Sequence, residues 1–470
     1  MAKPKKPEAA VKREAFGDPK PRTTSKPDTA NPTGGRTSPR KPYPEPHRGN
    51  ATGSTIGARI NRRAADRLRS GHAWVYASDI EFIEAGAGEA PALLPVADNR
   101  GLLLGTALYS PSSQIALRMV SREAIGEAEW LDLLAKRLKT AVSQRWPLLQ
   151  AEGADTDSCR LCFSEADELP GLVIDKYRDL VILQLLARGL DSKAVRETCV
   201  RTLVKALENV KAPPIAILER PDPRIRELEG LAAPDLAPLW AANPDAPITS
   251  TQFHLNGLTF HYDANAGQKT GAFLDQSANY KAAEQRALEL SPGGRALDVC
   301  TYQGGFALHL ARVSKSVTGI DTSHASLEIA ERNLATNRDK VGTNVEVDWV
   351  EGDAFQILRD WASAREQFDT IVLDPPAFAK SRRATEGALR GYKELNLRAM
   401  QMLKPHGLLV TCSCSHHVAL ADFEAVLASA AADAHRRVRL RERRGAAPDH
   451  PVVLNLPETE YLKCLVLEVE

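Results

Sequence analysis

From residue 252 onward, short apolar runs alternate with stretches of helical period. RALDVC is followed by a helical segment from Gly305, and SVTGID by one from His324. Further apolar runs are VEVDWVEGD, DTIVLDPP and GLLVTCSCS, with helical stretches near 386–404 and 420–435. Strands alternating with helices of this length predict an α/β fold, a doubly wound Rossmann-like sheet over 251–470. A hairpin, FHLNGLTFHYD, opens it. Two closing runs, VVLNL and YLKCLVLEV, are expected to pair antiparallel at one edge through a turn at Pro457.

The front of the chain has a different pattern. ALLPVAD, GLLLGTALY and QIALRMV are short β runs between turn residues, defining a small β-rich domain over 55–125. Trp130, Leu133, Leu134, Leu138 and Val142 fall at helix spacing. Three β runs within 159–186, a helix around 191–209 and the strand PIAILER complete a central α+β domain over 126–250.

Composition changes this picture at one end. The chain has 470 residues, 43% of them apolar, with 61 Lys+Arg against 60 Asp+Glu. Residues 1–54 stand apart: the first fifty carry 12 Lys/Arg, 5 Asp/Glu and 10 of the 30 prolines, with almost no large apolar side chains. Such a segment cannot bury enough surface to offset its ordering entropy, so a disordered basic tail is expected, either solubilising or drawn to nucleic acid. No apolar run approaches the ~20 residues that span a bilayer, and the start has no apolar signal region. Seven scattered cysteines do not form a disulfide framework. A cytoplasmic protein with reduced thiols and no membrane partner is expected.

Three acids carry the first chemical signal. Asp298 ends a strand just before the Gly304-Gly305 turn, Asp321 ends the next strand 23 residues later, and Asp353 ends a third. The carboxyl edge of an open α/β sheet is where ligands bind, and an acid ~20 residues after the glycine turn typically grips ribose hydroxyls. The spacing is not the dinucleotide fingerprint. An adenosine bearing an amino-acid end, S-adenosylmethionine, fits better. A tight turn or a helix N-cap would leave similar traces at any one of these positions.

A second group lies further along. Asp374 enters the rigid turn Pro375-Pro376, where a carboxyl can meet a nucleobase edge while Phe378 stacks on the base. Cys412 and Cys414 end an apolar strand, as small buried hydrophobes or as a thiolate nucleophile. Both face one side of the strand, but Cys412 lies one pleat deeper, which favours Cys414 as the nucleophile. The lone Cys159/Cys162 pair lacks a second ligand pair, so no metal is expected. Arg59, Arg62, Arg63, Arg67 and Arg69, followed by Trp74 and Tyr76, suit phosphate contact and stacking on RNA, or simply a solvated helix face.

The strings GQKTGAFLDQ, LDVCTYQGGFALHLA, IDTSHASLEIAERN, FDTIVLDPPAFAKS, RGYKELNLRAM and TCSCS resemble the bacterial 23S ribosomal RNA large-subunit methyltransferase I family. RSGHAWVYASDI looks like the opening of that family's PUA domain, an RNA-binding module, and places His72 with the arginines. The resemblance covers 55–470. It implies an S-adenosylmethionine-dependent enzyme forming 5-methylcytidine, with ribosomal RNA, naked or in an assembling subunit, as partner. A homodimer is compatible with the sequence. It further implies that Gly304, Gly305 and Phe306 line the methionine end of the cofactor, with Asp298 and the loop Cys300, Thr301 and Tyr302 nearby. Asp321, with Thr322 and Ser323, would hold the ribose, and Asp353 and Ala354 the adenine. Lys269, Phe273 and Asp275 would close over the cofactor, Asp374 would contact base and cofactor, and Cys414 would attack.

The chain also departs from the family. Asp275-Gln276-Ser277 stands where the family often has Asp-Gln-Arg, Cys412 where an aromatic is common, and Pro376-Ala377 where two-cysteine enzymes carry a second thiol. Base N-methylation, which needs no thiol, and a non-catalytic RNA-binding assembly factor are the alternative functions.

Overall fold

The computed structural model describes residues 57–84, 92–150, 155–232, 237–265, 271–379 and 382–470. The basic tail and Lys269 lie outside the described residues.

The first sheet is six-stranded and runs from Ala58–Ile60 to Ile115–Ser121. One helix, Arg62–Arg69, packs Ala64, Ala65 and Leu68 into its core. Asn61 caps that helix by accepting from the Ala64 amide at 2.8 Å. It ends at Ser70, where Gly71 takes a left-handed φ of +101°.

The central sheet has five strands, with Leu172–Tyr177 and Leu180–Leu185 buried at every position. Helices Glu127–Leu149 and Lys193–Asn209 pack together over it. Cys159 and Cys162 belong to this core, and the Cys162 thiol donates to the Leu172 carbonyl at 3.4 Å. All seven cysteines are free thiols.

The hairpin Ser250–Leu255/Leu258–Asp263 turns through Asn256 and Gly257, both left-handed, as a two-residue hairpin loop requires. Its apolar face packs on Tyr177 and into the core of the last sheet.

That sheet has seven strands: β1 (Arg295–Val299), β2 (Ser316–Asp321), β3 (Glu346–Glu351), β4 (Phe368–Leu373), β5 (Leu403–Ser413), β6 (Val438–Arg444) and β7 (Lys463–Val469). The order is 3-2-1-4-5-7-6, parallel through β5 and antiparallel at β7 and β6. Helices α1 (Ser277–Leu290), α2 (Gly305–Ala311), α3 (His324–Thr336), α4 (Ala354–Ser363), α5 (Thr385–Met402) and α6 (Leu420–Asp433) cover it, with one apolar core on each face. Strand order reverses between β1 and β4, which opens a crevice at their carboxyl ends.

The expected closing hairpin is not formed. Residues 452–456 contribute only an isolated bridge, Val453 to Leu456, and the edge partner of β7 is the charged strand β6. On β6, Arg439, Arg441 and Arg443 pair with Glu470, Glu468 and Glu424, so an edge that reads as polar is satisfied by ion pairs. Among the described residues no helix is long and apolar enough to cross a membrane.

Candidate active site

The crevice at the β1/β4 switch point is a cleft of about 390 Å³, within the ~300–1,000 Å³ usual for small-molecule pockets. Its floor is the loop between β1 and α2. Three residues of that loop, Cys300, Tyr302 and Gly304, have φ of +64°, +52° and +84°. Two of them are not glycine, so the conformation must be held by its surroundings. Asp321 supplies part of that hold: its two carboxylate oxygens accept from the Tyr302 and Ser323 amides, each at 2.9 Å. The Tyr302 hydroxyl donates to the Gly271 carbonyl at 2.8 Å, and its ring meets Phe273 edge-on at 5.0 Å. Gly305 is required by close approach, since a Cβ there would lie 2.6 Å from the Tyr280 ring.

Asp298 lies beneath this loop and not among the cleft-lining residues. Its Oδ2 accepts from Thr301 Oγ1 at 2.6 Å and the Ala307 amide at 2.9 Å, stapling the two ends of the loop together. Burial pushes its carboxyl up to about 7, against the pull of those two bonds. The strand acid therefore shapes the loop rather than facing the cleft. Gly304 and Ser323 are likewise off the cleft wall, Ser323 as the N-cap of α3.

Cys300, Thr301, Tyr302, Gly305, Phe306, Asp321, Thr322, Asp353 and Ala354 all line the cleft. Asp353 has a second duty as the N-cap of α4, accepting from the Gln356 amide at 2.9 Å. Phe273 and Asp275 form the facing wall, and the Tyr461 hydroxyl donates to Asp275.

The far end of the cleft is built by β4 and β5. Asp374, Pro375, Pro376, Ala377 and Phe378 line it together with Cys414. The Cys414 thiol lies 3.9 Å from the Pro375 carbonyl, so the thiol abuts the loop that carries Asp374. Phe378 is wedged between Phe355, at 5.8 Å, and Tyr392, at 4.8 Å. Cys412 is fully buried opposite Cys464, and its thiol is held well above the usual range by a hydrogen bond with Cys464 and by burial. Burial also pushes the Cys300 thiol up.

Sequence reading missed several walls of this cleft. Gln276 and Tyr280 come from the start of α1 and its approach, and Leu462 from the loop before β7. Phe253, Leu255 and Phe260 come from the hairpin. The hairpin itself was expected, but not its part in the cleft.

The arginine stretch divides. Arg59, Arg62, Arg63 and Arg69 are exposed. Arg67 is bound to Asp79 at 2.7 Å, and Arg69 is shared between Asp98, at 2.5 Å, and Asp66, at 3.2 Å. His72 is buried: its Nδ1 accepts from the Trp74 amide at 3.1 Å and its Nε2 faces Glu458 at 3.2 Å. Trp74 donates its indole N–H to Glu165 at 2.8 Å. Arg67 therefore fastens the first domain internally and His72 ties it to the turn at Pro457–Thr459, so the structure engages both side chains in contacts within the protein.

This fold and cleft define a class. Residues 182–466 match the S-adenosylmethionine-dependent methyltransferase family, and residues 58–122 match the PUA-like domain. The structure of SMU.776 complexed with SAH superposes with a TM-score of 0.71 at 18% identity, covering 88% of this chain and 100% of that one. A Streptococcus mutans structure gives 0.70 at 17%, with the same coverage. The protein is thus an S-adenosylmethionine-dependent methyltransferase with a PUA-like domain.

Two curated relatives narrow the class. The ribosomal RNA large subunit methyltransferase I of Photobacterium profundum is 36% identical over 401 residues, 84% of this chain and 95% of that protein. The one of Pseudoalteromonas translucida is 36% identical over 405 residues, 86% and 96% respectively. The chain belongs to the ribosomal RNA large subunit methyltransferase I family.

The cleft fits the cofactor chemically. A carboxylate offers about four lone-pair sites. The backbone takes two of those on Asp321, which leaves capacity for ribose hydroxyls on the side that lines the cleft.

Proposed function

We propose that the protein methylates carbon 5 of a cytidine in large-subunit ribosomal RNA, with Cys414 as nucleophile and Asp374 at the base. The observation that carries this reading is the placement of the Cys414 thiol against the Asp374–Phe378 loop, in the same cleft as Asp321 and Asp353.

Carbon 5 of cytosine is a poor nucleophile until something adds at carbon 6. A thiolate suits that task, being strongly nucleophilic near neutral pH. Cys414 forms the bond to carbon 6, and the Asp374 carboxyl stabilises the charge that develops at the N3/N4 edge. Bound S-adenosylmethionine supplies an electrophilic methyl group for the activated carbon 5. A water in the cleft then takes the carbon-5 proton, and the electron pair left behind re-forms the C5–C6 double bond and expels the Cys414 sulfur as thiolate. The base must leave its stack to reach the cleft, and Phe378 offers it an aromatic face.

Asp321 and Asp353 hold the adenosine portion, and Phe273 with Tyr302 and Phe306 shields the methionine end from water. The PUA-like sheet, through exposed Arg59, Arg62 and Arg63, draws the RNA phosphates. The test is product identity. Large-subunit RNA incubated with methyl-labelled cofactor and digested to nucleosides should yield 5-methylcytidine. An N-methylated nucleoside as the labelled product would overturn the reading.

A further inference from the structure

Cys414 sits between two buried serines, Ser413 and Ser415, whose hydroxyls are bound below the cleft. Alternation explains the split: when Cys414 points into the cleft, its neighbours point to the opposite side. There they meet Tyr392 of α5. Ser413 Oγ donates to the Tyr392 hydroxyl at 3.0 Å, and that hydroxyl lies 3.0 Å from Ser415 Oγ. Ser415 Oγ also accepts from the Ala379 amide at 3.2 Å, next to Phe378, whose ring lies against that of Tyr392. From the β7 side, Lys463 Nζ donates to the Ser415 carbonyl at 2.8 Å. The hydroxyl of Tyr392 therefore holds both serines of the thiol-bearing segment, and through Ser415 Oγ it reaches the loop that bears Asp374 and Phe378.

Packing does not account for that hydroxyl. The ring is fully buried between Phe378, at 4.8 Å, and Phe423, at 5.2 Å, contacts a phenylalanine would also make. A buried hydroxyl gives little net stability against its desolvation, whereas a fully bonded polar network fixes geometry. We propose that Tyr392 is a positioning residue for methyl transfer, its hydroxyl locking the Cys414 segment to the Asp374–Phe378 loop so that thiol and carboxyl meet one base in register. This rests on the reading of Cys414 as nucleophile.

The test is Tyr392→Phe in the full chain. Misplacement of reacting groups by about 1 Å can cost on the order of 100-fold, so kcat should fall roughly tenfold or more. KM for cofactor and for RNA should stay within about twofold, since Tyr392 touches neither. Ser413→Ala, a milder change, should slow turnover in the same direction. Combined with Tyr392→Phe it should add little, because both remove the same node. A purely structural role would lower Tm but leave kcat at a permissive temperature like the parent's. Parent-like kcat in Tyr392→Phe, or in Ser413→Ala should the first variant not fold, overturns the proposal. Full turnover by Cys414→Ala would instead overturn the nucleophile, and the clamp with it.

Discussion

Asp321 has two jobs in this structure, and they can be separated. It accepts from the Tyr302 and Ser323 amides at 2.9 Å each, and it lines the cleft where the ribose would lie. Asp321→Ala removes both. On the ligand side, a lost hydrogen bond to a charged group is worth about 1.5–3 kcal/mol, so Kd for S-adenosylmethionine should rise by roughly 10- to 150-fold. On the fold side, the Tyr302 amide loses its partner while its backbone stays at a φ of +52°. That costs about 1–3 kcal/mol, and the cofactor loop relaxes towards ordinary dihedrals. Asp321→Asn keeps one acceptor but turns an amide N–H towards a backbone donor, so it should fall between the parent and alanine. Isothermal calorimetry reads the affinity and a thermal melt reads the stability. Both should drop in Asp321→Ala. A drop in Tm with unchanged affinity would make Asp321 a loop staple alone. Unchanged values in both assays would refute the reasoning about the carboxylate altogether.

Four further outcomes follow from named contacts. Asp298 has a folded-state carboxyl raised to about 7 by burial, above the ordinary value of 3.8. Its contribution to stability is complete below about pH 4 and is lost as pH rises towards and through 7, so Asp298→Asn should flatten that part of the Tm-against-pH curve. Replacing Arg59, Arg62 and Arg63 together by Gln should flatten the salt dependence of RNA affinity by roughly 0.7 per lost phosphate contact. Arg67→Gln should instead lower Tm through loss of its Asp79 partner and leave the salt slope as it was. Gly305→Ala should lower Tm, because overpacking against Tyr280 at about 1–3 kcal/mol outweighs the ~1 kcal/mol that alanine gains in a helix.

Much of the catalytic sheet was legible because its code is local. Apolar runs of five or six residues, with an acid at or beside the last position, mark β1, β2 and their ligand edge, and the glycine pair marks the turn into α2. Non-local partners were not legible. His72 looked like an RNA contact, yet its partner Glu458 lies 386 residues away. Arg69 finds Asp98 across the first sheet. Strand β6 was hidden because its alternating arginines satisfy themselves on carboxylates of β7, of α6 and of Glu470, while VVLNL carries the apolar pattern without a strand's partner. Asp298 read as a cleft residue because a strand end shows where the backbone points, not whether a loop folds over the side chain. Tyr392 gave no signal, since a tyrosine at core spacing on a helix reads as packing.

The claim on which the account turns is that the Cys414 thiol bonds to carbon 6 of the target base. RNA carrying 5-fluorocytidine tests it directly, because fluorine at carbon 5 cannot leave as a proton does and the adduct persists. Mixed with cofactor and enzyme, then denatured and resolved by gel and peptide mass, this RNA should be found covalently attached to the peptide containing Cys414. The same adduct should form with Cys412→Ala, whose thiol is packed against Cys464, and should be absent with Cys414→Ala. An adduct that persists in Cys414→Ala, or none in the parent while methylated product accumulates on ordinary RNA, would contradict the account.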